Sequence, residues 1–135
     1  KGLVGTDHAM QAVRAFYTPV IAFFSTDIVL STVMLVPHTT PRTLSVLFGV
    51  IGIAGLLYMV ASGALPQWRS LELSLDDLVF YIALPFLAYI ALCVAAVLLW
   101  NQAQFALYTS AAVTILLLLI GIRNAWDLVI SIARQ

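Results

Sequence analysis

Apolar residues run almost unbroken through four stretches of the chain, each long enough to form a helix that crosses a bilayer. The first covers about 18–36 and holds a single acid, Asp27. It ends at Pro37-His38-Thr39-Thr40-Pro41-Arg42, where two prolines stop a helix. The second covers about 43–65 and stops at Pro66, followed by Gln67-Trp68-Arg69-Ser70. The third covers about 78–100, with Ser74 or Asp76 placed to cap it. Asn101-Gln102-Ala103-Gln104 form a tight connection to the fourth, about 105–122, whose helical pattern continues to about 133. Thr6-Asp7-His8 open a further helical segment ahead of the first span, and Pro19 is expected to kink it. The runs are continuous rather than alternating, so a membrane barrel is excluded. The pattern predicts an all-α, transmembrane four-helix up-down-up-down bundle, with residues 1–135 forming one integral membrane domain.

Composition sharpens this. The chain is 63% apolar and 9% charged, with a mean hydropathy of +1.07, against about 25% charged residues in an ordinary soluble domain. Six basic and six acidic residues leave no net charge, which excludes nucleic acid as a partner and a disordered chain. The lipid bilayer is the surrounding medium. Cys93 is the only cysteine, so no intrachain disulfide and no cysteine metal cluster can form. No cleavable signal peptide is visible.

Basic residues are unevenly placed. Lys1, Arg14, Arg69, Arg123 and Arg134 fall on one side of the predicted topology and Arg42 alone on the other. That asymmetry predicts N- and C-termini in the cytoplasm. Tyr17, Trp68, Tyr81 and Trp126 on the inner side and Trp100 on the outer fit aromatic belts.

Lipid tails give helices no hydrophobic reason to associate, so small residues that let backbones approach are the expected packing seams. Thr18, Ser25 and Thr32 recur every seven residues on the first span; Ser45, Gly49 and Gly52 share a face of the second. Ala88, Ala91 and Ala95 do so on the third, and Ala106, Ser110, Thr114 and Gly121 on the fourth. One such seam facing a neighbouring subunit or cofactor is the alternative to packing within the bundle.

Asp27 is the most informative single residue. An ionised acid near the middle of a span costs on the order of 2.5–3.5 kcal/mol. Ser31 lies one turn away and His38 near the same face at the outer end, so Asp27, Ser31 and His38 outline a proton or cation path. The plainer reading is a hydrogen-bonded acid that joins two helices; a ligand contact is the third. Arg123 is the only candidate basic partner, but it lies roughly 13 Å away in depth at 1.5 Å per residue, and an arginine there reaches toward water. Arg123 and Asp127 are instead spaced to pair on one helical face. With Asn124 and Trp126 they form an inner-surface anchor, or a docking patch for a partner or an anionic head group.

His8 and His38 fall on opposite sides of the membrane, so no metal site is expected, and no residue pattern selects a cofactor. Glu72, Asp76 and Asp77 read as solvated helix-capping acids. The glycines of Gly49-Val50-Ile51-Gly52-Ile53-Ala54-Gly55 lie within a span with no preceding strand, which rules out a nucleotide loop. No catalytic set shares one depth, so an enzyme is not expected.

Tyr17-Thr18-Pro19 at the start of the first span, and Gly121-Ile122-Arg123-Asn124-Ala125-Trp126-Asp127 at the end of the fourth, resemble a group of small, uncharacterised bacterial four-span membrane proteins. The likeness covers the span order and these two motifs, of which the second is the more distinctive. It implies a bacterial inner-membrane location and adds no catalytic residues. The expected role is non-catalytic, by helix–helix contact, as an accessory or structural subunit of a membrane complex or as a homo-oligomer. A homo-oligomeric ion channel or proton-coupled carrier using Asp27 is the alternative.

Overall fold

The computed structural model describes residues 3–63 and 75–133, with side chains described for 18–62, 75, 78–130 and 133. Lys1, Arg69, Arg134 and the connection 64–74, with Pro66, Trp68, Glu72 and Ser74, lie outside the described residues, as do the side chains of His8, Arg14, Tyr17, Asp76 and Asp77. Helix α1 (Leu3–Leu35) is followed by α2 (Pro41–Gly63), a short α3 (Leu75–Leu78), a π-helical turn (Val79–Ala83), α4 (Leu84–Trp100) and α5 (Ala106–Ala133). Four segments are long and apolar enough to cross a membrane: Thr18–Leu35, Pro41–Ser62, Val79–Trp100 and Ala106–Ile130. The first helix runs through Pro19 without interruption. The fourth span extends past Ile122, as the continuing helical pattern suggested.

The turns explain where the helices stop. The second starts at Pro41, two residues earlier than the apolar run, because proline suits a first helical position. Thr40 caps it, its Oγ1 accepting the Thr43 N–H at 3.2 Å. At the end of α4, Gln102 takes a left-handed conformation with φ 54°. Its N–H bonds to Leu99 O at 3.0 Å and the Ala103 N–H to Leu98 O at 2.9 Å, the paired closure that usually has glycine at this place. At the same end of the bundle the Arg42 guanidinium lies 5.9 Å from the Trp100 ring centroid, tying the second span to the third.

Between 22% and 39% of each span is buried, and the remainder is apolar surface that needs hydrocarbon around it. Most of the buried positions keep alternating three- and four-residue steps. They are Val20, Phe23, Asp27 and Leu30 on the first span and Ser45, Phe48, Gly52, Gly55 and Met59 on the second. Tyr81, Pro85, Ala88, Leu92, Ala95 and Leu99 form the stripe on the third, and Ala106, Ser110, Val113, Leu117, Ile120 and Asn124 that on the fourth. This spacing favours nearly aligned helices with knobs set into holes.

Neighbours around the bundle are unequal. The second span packs along the third, the third along the fourth, and the fourth along the first, whereas the first and second touch little. Small residues make the tightest contact possible. A β-carbon on Gly52 would fall 2.7 Å from Cys93 Sγ, and Ser45 Oγ donates to Ala96 O at 2.6 Å. Gly49 faces Ala96, and Gly121 receives the Phe24 ring, 3.4 Å from where its β-carbon would be.

Candidate functional site

Polar groups are scarce inside this bundle, so each one can be followed. Asp27 is 6% exposed, at the middle of the first span, in the stripe between Phe23 and Leu30. Neither Oδ1 nor Oδ2 has a hydrogen-bond partner among the described residues. Arg123 lies elsewhere, engaged with Asp127 and Phe80. The structure does not bring Asp27, Ser31 and His38 together: Asp27 points inward, while Ser31 and His38 are exposed, His38 in the turn with φ 62°. Ser31 is about 40° from Asp27 around the helix at 3.6 residues per turn, enough to move it out of the packed stripe.

Next to Asp27, Thr26 faces a different neighbour. Its hydroxyl donates to Ala22 O at 2.9 Å and lies 3.1 Å from the Tyr89 hydroxyl. A hydroxyl has one hydrogen, so with the Thr26 proton on Ala22, Tyr89 is the donor to Thr26. Tyr89 is 1% exposed and reaches from the third span across Gly55 of the second to Thr26 of the first. It forms part of the lining of a cleft of about 320 Å³ between the first and second spans, together with Ala22, Ser25, Val29, Ala54 and Tyr58. Sequence reasoning passed over Thr26 and Tyr89. The available signal was a phenol at mid-span, which needs a partner in a medium without water.

Thr18, Ser25 and Thr32 are exposed. They lie outside the packed interior of the bundle, and Thr32 returns its hydroxyl to Ile28 O at 2.7 Å. With Ala22 and Val29 they make a second, outward stripe that borders the cleft. On the fourth span, Ser110 is buried and donates to Ala106 O at 2.8 Å, and Thr114 donates to Ser110 O at 3.1 Å.

The other polar cluster sits at the end opposite His38. Pro85 has no N–H, and in the π-helical turn before it the five-residue step would have joined that missing donor to the Phe80 carbonyl. Asn124 supplies the replacement: its Nδ2 donates to Phe80 O at 3.4 Å, and the Tyr81 hydroxyl donates to Asn124 O at 3.4 Å. Asn124 is fully buried, with Oδ1 unpartnered among the described residues. It therefore belongs to the interior, while its neighbours Arg123, Trp126 and Asp127 stay at the surface. Arg123 Nε is 3.6 Å from Asp127 Oδ2, its guanidinium carbon lies 3.6 Å from the Phe80 ring centroid, and Trp126 is 65% exposed.

Comparison of the chain with protein-family models, curated proteins and solved structures finds no match.

Proposed function

We propose that the chain is a non-catalytic membrane protein that works by helix–helix contact, as a small structural subunit of a membrane assembly or as a homo-oligomer. One observation carries this reading. The first and second spans, joined by only the five residues 36–40, stay apart and leave a cleft between them that Ala22, Ser25 and Thr26 line on the first span and Ala54 and Gly55 on the second. Thr18, Ala22, Ser25, Val29 and Thr32 repeat on the exposed side of the first span at the spacing used for packing elsewhere in the bundle. The five-to-one asymmetry of basic residues supports cytoplasmic termini, and the two motifs described above support a bacterial inner membrane.

A photo-crosslinking amino acid at Ser25, compared with one at the lipid-facing Leu119, tests the reading in native membranes. Protein adducts are expected from position 25 and not from position 119. Lipid adducts alone at both positions would overturn it.

The unpartnered carboxyl of Asp27 supports a second reading, a homo-oligomeric channel or proton-coupled carrier. Asp27→Asn separates the two. A carrier loses flux in proteoliposomes while its bundle stays folded, whereas a contact subunit keeps its cross-link pattern and function.

A further inference from the structure

Arg123 is held in an unusual way for a basic residue at the end of a span. A lone arginine at a membrane surface swings freely toward water. Here the guanidinium carbon lies over the Phe80 ring, 3.6 Å from its centroid, and Nε is 3.6 Å from Asp127 Oδ2. The ring is set by the π-helical turn at Val79–Ala83, which Asn124 ties to the fourth span through Phe80 O. The ring side of this arrangement is therefore anchored to the buried Asn124, while Asp127 holds the other side from the surface, one turn along the same helix. What remains is the Nη edge, two nitrogens without an acceptor among the described residues, on a side chain 40% exposed.

Depth identifies what this edge meets. Arg123 is seventeen residues beyond Ala106, about 26 Å along the helix, and a hydrocarbon core is about 30 Å thick. The exposed Trp126 one turn on is the residue type that settles at the head-group boundary. A planar fork of N–H donors at that level matches the paired oxygens of a phosphate. We infer that Arg123, stacked on Phe80, is a binding site for the phosphate of an anionic phospholipid head group. Asp127 turns the fork outward through Nε and, as a nearby carboxylate, weakens the hold on the anion.

The test is native mass spectrometry of the full chain released from nanodiscs of equal parts phosphatidylcholine and phosphatidylglycerol. Wild-type protein is expected to keep phosphatidylglycerol in preference. Arg123→Gln should lower that preference about fivefold, the contribution of one basic residue near an anionic surface. Phe80→Leu keeps the charge and should also lower it, and Asp127→Asn should raise it. A mere structural ion pair predicts no rise in Asp127→Asn, and that comparison decides the matter even if Arg123→Gln does not assemble. Unchanged retention in Arg123→Gln overturns the inference. Displacement of the lipid by millimolar inorganic phosphate overturns the assignment to a lipid and points to free phosphate as the ligand.

Discussion

The ring of Tyr89 rests on the backbone of Gly55, so close that a β-carbon at Gly55 would overlap Tyr89 Cδ1 and Cε1. The contact lets a side chain of the third span pass beneath the second and reach the first. Gly55→Ala must push the ring aside within a packed interior, and is expected to cost about 1–3 kcal/mol. In a Tyr89→Ala background the same change should cost far less, and equilibrium unfolding of the four variants in detergent measures the difference. Tyr89→Phe keeps the ring and removes only the bond to Thr26, a loss of about 0.6 kcal/mol by the average for such bonds in membranes.

Asp27 is costly where it stands. Both oxygens are buried without a partner among the described residues, and a buried unsatisfied polar group costs about 1–3 kcal/mol. Asp27→Leu is therefore expected to raise the stability of the isolated bundle by about that amount. Thermal unfolding in detergent checks this. A large loss of stability would mean that the carboxyl has a partner within the chain after all.

Asn124 and Pro85 should behave as a coupled pair. Asn124→Leu removes the donor that replaces the one proline lacks, and is expected to cost about 1–2 kcal/mol. Pro85→Ala restores a backbone N–H near Phe80 O, so the asparagine loses its importance in that background. A double-mutant cycle should give a coupling of at least about 0.5 kcal/mol; strict additivity would show that Asn124 does not serve the interrupted turn.

How much of this was legible beforehand differs by feature. The number of spans and the break after the first of them follow from length and proline, because hydrocarbon leaves so few alternatives, although the second proline, Pro41, opens the next helix instead of lying in the turn. The inward face of the first span does not. Val20, Phe23 and Leu30 pack inside while Ile21, Ile28 and Val29 face outward, and no difference of hydropathy marks one set from the other. The repeat of Thr18, Ser25 and Thr32 is a real seven-residue pattern, but the buried stripe runs beside it. Asp27 could be placed at mid-depth by counting; the absence of a partner depends on rotations that counting does not supply. Asn124 appeared as part of a surface motif with Arg123 and Asp127. Its burial follows from the carbonyl left open by Pro85, a residue distant in sequence.

Gln102 offers a gain. It occupies a left-handed position at φ 54° where glycine is the favoured residue. The left-handed conformation costs a side-chain-bearing residue roughly 1–2 kcal/mol, partly offset by the extra freedom glycine has when unfolded. Gln102→Gly should therefore stabilise the bundle by about 0.5–1 kcal/mol, read as a higher midpoint of thermal unfolding with the fold unchanged.

The unequal neighbours around the bundle also set an order of assembly. The first span leans mainly on the fourth and scarcely on the second, and the fourth is the last of the four to leave the ribosome. During synthesis the opening helix must wait in the bilayer as a loose hairpin arm until the closing one arrives to fasten it. A chain stopped after Trp100 would hold its second and third spans together and leave the first adrift.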